Sequence, residues 1–131
     1  MENEKYNKWN KLKQEINSIE LKEFYIKERQ VWYIHNGVNV GYESNGKGVD
    51  FKRPVLVLKK VGALFFIATM TTKGKNSKFF YKLEDETFGK DSYVTLSQVK
   101  IIDKRRFFEH IGIVNVNDFV KIKNELQNIL F

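Results

Sequence analysis

Cysteine is absent from the 131 residues, and proline occurs once. A chain without cysteine has no disulfide, no thiol nucleophile and no thiolate-held metal. A reducing, cytoplasmic setting is the natural expectation. Long apolar runs are also missing: the longest, Ala63 to Ala68, is far too short to cross a bilayer. The start, Met1-Glu2-Asn3-Glu4-Lys5, is polar and charged and carries no apolar core of a secretion signal. The two histidines, His35 and His110, lie far apart, and no acids surround them at ligand spacing. Catalytic zinc usually takes about three protein ligands, so neither a metal nor another cofactor is expected. Acidic residues are the minority charge, with 16 Asp and Glu against 23 Lys and Arg.

What is present describes a globular chain of single-domain size. Hydrophobic residues make up 42% and aromatics 15%, enough for a real core. The net charge of +7 raises the local concentration of polyanions, so nucleic acid or an acidic protein is the expected partner.

Periodicity divides the chain. Tyr6, Trp9, Leu12, Ile16 and Ile19 recur near helical spacing, with Asn7, Lys11, Gln14 and Ser18 opposite. Residues 1–28 are therefore expected to form a helical extension that packs on the domain or on a partner. From residue 29 the pattern is strand-like. Val31-Trp32-Tyr33-Ile34 is a strand ending in His35-Asn36-Gly37. A hairpin is expected from Pro54–Lys60 and Ala63–Met70 around a Val61-Gly62 turn, followed by a strand over Lys78–Leu83. Glu84–Ser92 reads as a loop. Tyr93–Leu96 and Val99–Ile102 read as one strand bent at Ser97-Gln98, the last strand signal in the chain. His110 is expected to cap or pack. A closing helix carries Phe119, Ile122, Leu126 and Ile129 on one face, with Asn117 as its expected N-cap. Strands in series without intervening helices imply an antiparallel sheet or small barrel.

Arg53-Pro54 opens the apolar run Val55-Leu56-Val57-Leu58. Proline lacks an N–H, so it suits a strand start or an edge. Arg53 by itself reads as a solvated surface arginine, but this junction also restrains a planar guanidinium suited to phosphate. The preceding loop Gly41–Gly48 nearly spells a P-loop. It fails because Gly48 replaces the magnesium-binding hydroxyl and a proline-led strand follows where a helix is needed. No serine or threonine has a nucleophile-elbow context. Arg53, the Thr71-Thr72-Lys73 corner and Ser97-Gln98 all fall at strand ends or breaks. One rim of a barrel would combine them into phosphate and base-edge contacts.

The ordered series Val31-Trp32-Tyr33, Gly41-x-Glu43, Arg53-Pro54-Val55-Leu56-Val57, Thr71, then Leu96-Ser97-Gln98-Val99-Lys100-Ile101-Ile102-Asp103-Lys104-Arg105-Arg106 resembles the MazF/PemK toxin family. The likeness runs over roughly residues 30 to 130, in the segment 29–131. It implies a mainly β fold: a small SH3-like antiparallel barrel of the CcdB/MazF type with a C-terminal helix, forming a homodimer. It further implies a metal-independent endoribonuclease that cuts single-stranded RNA, and an acidic antitoxin as partner. Matching the family's catalytic arginine and threonine assigns chemistry to Arg53 and Thr71, with Thr72 the neighbouring candidate if the register slips by one. RNA contacts are then expected from Glu43, Lys52, Thr72, Lys73, Lys75, Ser97 and Gln98. Ser97 departs from the family, standing where some members carry an acid. A non-catalytic binding module and a gyrase poison are the alternatives on the same fold.

Overall fold

The fold was analysed from a computed structural model, which describes residues 25–35 and 52–131. The expected N-terminal helix, the Gly41–Gly48 loop and Glu43 lie outside these residues. Six strands form one antiparallel sheet among the described residues: β1 (Gln30–His35), β2 (Lys52–Val61), β3 (Leu64–Thr71), β4 (Phe80–Lys82), β5 (Tyr93–Asp103) and β6 (Phe107–Ile113). One α-helix follows, α1 (Val116–Leu130). None of the described helices is long and apolar enough to cross a membrane.

The spatial order is β4-β5-β3-β2-β1-β6. Asp103 at the end of β5 and Phe107 at the start of β6 are joined only by the 3₁₀ turn Lys104–Arg106. That link spans at most about 14 Å at about 3.3–3.6 Å per residue. Four strand spacings of about 4.7–4.9 Å would separate β5 from β6 in a flat sheet, roughly 19 Å. The sheet is therefore rolled.

Rolling gives the sheet an inside and an outside, and both are buried. Trp32, Ile34, Val55, Val57, Phe65, Ile67, Ile102 and Phe107 form the inner cluster. Val31, Leu56, Leu58, Ala68, Met70, Val94 and Leu96 face outward beneath Phe119, Ile122 and Leu126 of α1. Burial on both faces explains the unbroken apolar run Val55–Leu58, since neither parity of the strand meets water.

Several boundaries differ from the sequence reading. The hairpin turn is Gly62-Ala63, one residue late, and β3 starts at Leu64. Gly62 has φ +61°, the left-handed value that a two-residue hairpin loop demands at its first position. β4 is only Phe80–Lys82, because Leu83 already turns to donate its N–H to Ser92 O at 2.9 Å. The β5 bend is present as a register break: Ala68 pairs with Val99, but Met70 pairs with Val94. β6 was not expected. His110 lies within it, packing its ring 5.1 Å from that of Trp32. The helix N-cap is Asn115, not Asn117; its side chain accepts from Asp118 N at 2.8 Å. Asn115 has extended backbone geometry, whereas Asn117 is already inside the first turn.

Pro54 also sits differently from expectation. It is the third residue of a strand paired on both sides, opposite Tyr33 of β1. The ladder to β3 runs from Val55, so the proline occupies the end of the strand.

Candidate active site

The antiparallel register brings the two proposed catalytic residues to one end of the sheet. Val55 pairs with Thr69, Leu56 with Ala68 and Val57 with Ile67. Extending that register by two residues sets Arg53 opposite Thr71. On the other side, Arg53 pairs with Ile34 of β1, which in turn pairs with Phe107 of β6. Strand alternation thus places Arg53 and Thr71 on the inner face, in line with Val55, Val57 and Ile67.

Arg53 is not the solvated surface arginine that the local sequence suggests, being only 7% exposed. Its neighbours on three strands enclose it, a circumstance invisible in the Lys52-Arg53-Pro54 context. Burial lowers its pKa, although a guanidinium keeps its proton in any ordinary solution. The same inner face is polar beneath it. Thr69 and Thr95 are buried, and their hydroxyls have no hydrogen-bond partner among the described residues. Buried polar groups are normally satisfied, and unsatisfied ones mark places where water or a ligand fits.

A cavity of about 470 Å³ opens at this end, on the outer side of the sheet that Val31 and Met70 face. Arg53 and Thr71 both border it, as do Lys52, Pro54 and Thr72. Its walls also include Tyr33, Met70, Phe88 and Ile111, with the hydroxyls of Thr87 and Ser92 at one side. Lys52 is held with its Nζ 4.8 Å from the centre of the Tyr33 ring, a cation–π contact. The Tyr33 ring is stacked 6.2 Å from Phe108, whose other neighbour is the His35 ring at 4.3 Å. Thr71 Oγ1 accepts the Lys73 N–H at 3.1 Å. A hydroxyl that accepts from the backbone still has its own proton to donate. Ser92 donates to the Phe88 carbonyl at 2.8 Å, and Thr87 donates to Asp85 at 2.7 Å. Those two hydroxyls are engaged in holding the wall.

Of the expected contact residues, the cavity gathers Lys52 and Thr72 with the pair Arg53 and Thr71. Lys73 and Lys75 are exposed just beyond it, and Ser97 and Gln98 lie along β5 outside its lining. Tyr33 had a sequence signal in the Val31-Trp32-Tyr33 motif. Thr87 and Ser92 had none, because their loop reaches the site only through the fold. Among the described residues, no group of three or more His, Asp or Glu is placed to hold a metal ion.

Arg106, on the turn before β6, is half-buried. Its Nη1 donates to the His35 carbonyl at 2.9 Å, tying the start of β6 to the end of β1. Burial lowers its pKa, partly offset by Asp103.

Comparison with known structures finds the same fold repeatedly. MazF from Deinococcus radiodurans is 22% identical with a TM-score of 0.65, over 82% of this chain and 98% of that one. An endoribonuclease from Mycobacterial species is 15% identical with a TM-score of 0.61, over 83% and 95%. A Mycobacterial endoribonuclease in complex with its cognate antitoxin is 16% identical with a TM-score of 0.61, over 81% and 95%. No curated protein matches the sequence. The family model for the PemK-like, MazF-like toxin of type II toxin–antitoxin systems matches residues 27–130 of the 131, and the protein belongs to that family.

Proposed function

We propose that this protein is an endoribonuclease toxin that cleaves single-stranded RNA at short sequences without a metal ion, leaving 2′,3′-cyclic phosphate and 5′-hydroxyl ends. The observation that carries this reading is that Arg53 and Thr71 border one cavity, in a chain of this toxin family. The RNA 2′-hydroxyl attacks the adjacent phosphorus, and the bond from phosphorus to O5′ breaks. Because the nucleophile is tethered to its target, proximity supplies much of the rate. The remaining task is to stabilise charge on the phosphorane and on the leaving oxygen.

Arg53 suits that task. Its guanidinium is already stripped of much of its water, so a phosphate meets a cation in a weakly screening surrounding. Two parallel N–H donors match two phosphate oxygens. Thr71 adds its hydroxyl proton. Lys52 and Thr72 contact flanking phosphates, while Lys73 and Lys75 draw in the chain electrostatically. RNA continuing along β3 and β5 reaches Ser97 and Gln98. Among the described residues, no carboxylate or histidine borders the cavity, so we assign the 2′-hydroxyl proton to solvent, with His35 or Glu43 as the alternative acceptors. The working unit is a homodimer, and the partner that restrains it is an antitoxin whose acidic segment complements the +7 charge.

The test is RNA cleavage in EDTA by wild type, Arg53→Ala and Thr71→Val, with end-group analysis of products. Cleavage by wild type alone, leaving cyclic phosphates, is the expected outcome. Binding without cleavage across RNAs of varied sequence would replace this reading with that of a non-catalytic module.

A further inference from the structure

The loop between β4 and β5 walls the candidate active site, yet the chemistry of cleavage gives it no task. It is fastened along its length. Leu83 N–H donates to Ser92 O at 2.9 Å and closes its base. The Asp118 carboxylate accepts from Glu84 N and Asp85 N, both at 3.2 Å. Asp85 accepts from Thr87 N at 3.0 Å and so caps the 3₁₀ turn Glu86–Phe88. Gly89 N–H donates to Glu86 O at 3.0 Å, and Ser92 Oγ donates to Phe88 O at 2.8 Å. The backbone at Phe88 is therefore set before any ligand arrives.

The Phe88 ring is placed as firmly. Phe88 is half-buried and packs on the outer cluster. A Cβ on Gly112 of β6 would lie 2.8 Å from Phe88 Cε1 and 3.0 Å from Cζ, so the tip of the ring rests on bare backbone. Phe88 also borders the cavity, together with Lys52, Arg53 and Thr71. Tyr33, the cavity's other aromatic, is already engaged by the Lys52 ammonium at 4.8 Å and the Phe108 ring at 6.2 Å.

We propose that Phe88 is an RNA-binding residue whose ring stacks on a nucleobase next to the phosphate that Arg53 holds. The inference rests on the ribonuclease reading above and adds a base subsite to it. A ring fixed beside a buried guanidinium and an exposed lysine suits a single strand: the cations track the backbone and the ring takes a base. Bases within a duplex are stacked on each other, so such a site selects unpaired RNA. A phenyl ring has no donor or acceptor with which to read a base edge, so the contact adds affinity with little sequence preference. Holding the ring in advance spares the cost of ordering it on binding.

The test uses the full chain. Mapping the bond that wild type cleaves allows a 2′-deoxynucleotide on its 5′ side, which removes the nucleophile and keeps the base. On that RNA, Phe88→Leu should bind at least about fivefold more weakly than wild type, the low end for a base–aromatic stack. Phe88→Trp should bind at least as tightly as wild type. Leucine is apolar and can still cover Gly112, so a ring that serves only as wall would leave Phe88→Leu close to wild type. Bases are then removed one at a time on either side of the deoxynucleotide. One abasic RNA should bind wild type and Phe88→Leu equally, because the stacking partner is gone. Equal binding of the two proteins on intact RNA, or the same loss on every abasic RNA, overturns the proposal while wild-type cleavage leaves the ribonuclease reading standing. A wild type that cleaves no RNA removes that reading, and this subsite with it.

Discussion

Arg53 of β2 and Thr71 of β3 border one cavity, each two residues beyond the Val55–Thr69 pair that ends the ladder between their strands. Cross-strand neighbours on one face lie about 4.5–5.5 Å apart at Cβ, within reach of a single phosphate. Arg53→Ala and Thr71→Val should each lower RNA cleavage by about 10²–10³, the usual cost of losing one preorganised donor. Arg53→Lys keeps the charge but loses the planar fork, so it should remain far below wild type. Both residues serve one transition state, so the double variant should fall short of the product of the single losses. Single-turnover rates in EDTA check all of these.

Lys52 offers a phosphate contact of a different kind. It is exposed, and the Tyr33 ring holds its ammonium in place. Lys52→Ala should weaken RNA binding uniformly across sequences and reduce the slope of log affinity against log salt by about 0.7, the value for one contact on a single strand. Titration of a catalytically silent Arg53→Ala background across salt concentrations measures it. A sequence-dependent loss would mean that Lys52 reads bases instead.

Gly74 supports the Thr71 corner from below. A Cβ there would lie 2.1 Å from Tyr93 Cγ, and Tyr93 is the register partner of Thr71. Gly74→Ala must displace the tyrosine ring, with an overpacking cost of about 1–3 kcal/mol. Cleavage should fall along with thermal stability. Combining it with Tyr93→Ala, which empties the space, should recover part of the stability lost.

Tyr81 pins the loop after β4 to α1. Its hydroxyl donates to buried Asp118 at 2.7 Å, and the same carboxylate accepts from Glu84 N and Asp85 N. Tyr81→Phe should cost about 1–3 kcal/mol, as expected for a hydrogen bond to a charged group. Burial first, and then Asp118, raises the phenol pKa well above its ordinary value. The folded state thus favours the protonated phenol. Its stabilisation is complete below the unfolded tyrosine pKa of about 10 and is lost as pH rises through the higher folded value. The gap between wild-type and Tyr81→Phe melting temperatures should be constant from pH 7 to about 9 and narrow above about 10.

Elements with a local signal were legible in the sequence. Val31–Ile34, the β2–β3 hairpin and the helical face of Phe119, Ile122 and Leu126 follow from side-chain period and from Gly62, and they appear with boundaries off by one or two residues. The ordered motifs also pointed to the family. The register, the rolling of the sheet and the burial of Arg53 belong to the tertiary structure. β6 is held by β1, some 75 residues earlier in the chain, so no local pattern announces it. Thr87 and Ser92 reach the cavity because Asp118 and Phe88 fix their loop, not because of their own neighbours. Sequence determined which residues carry charge, hydroxyls and turn geometry. Only long-range pairing decided which of them share one face, because a strand's partners, rather than its own residues, choose what stands opposite.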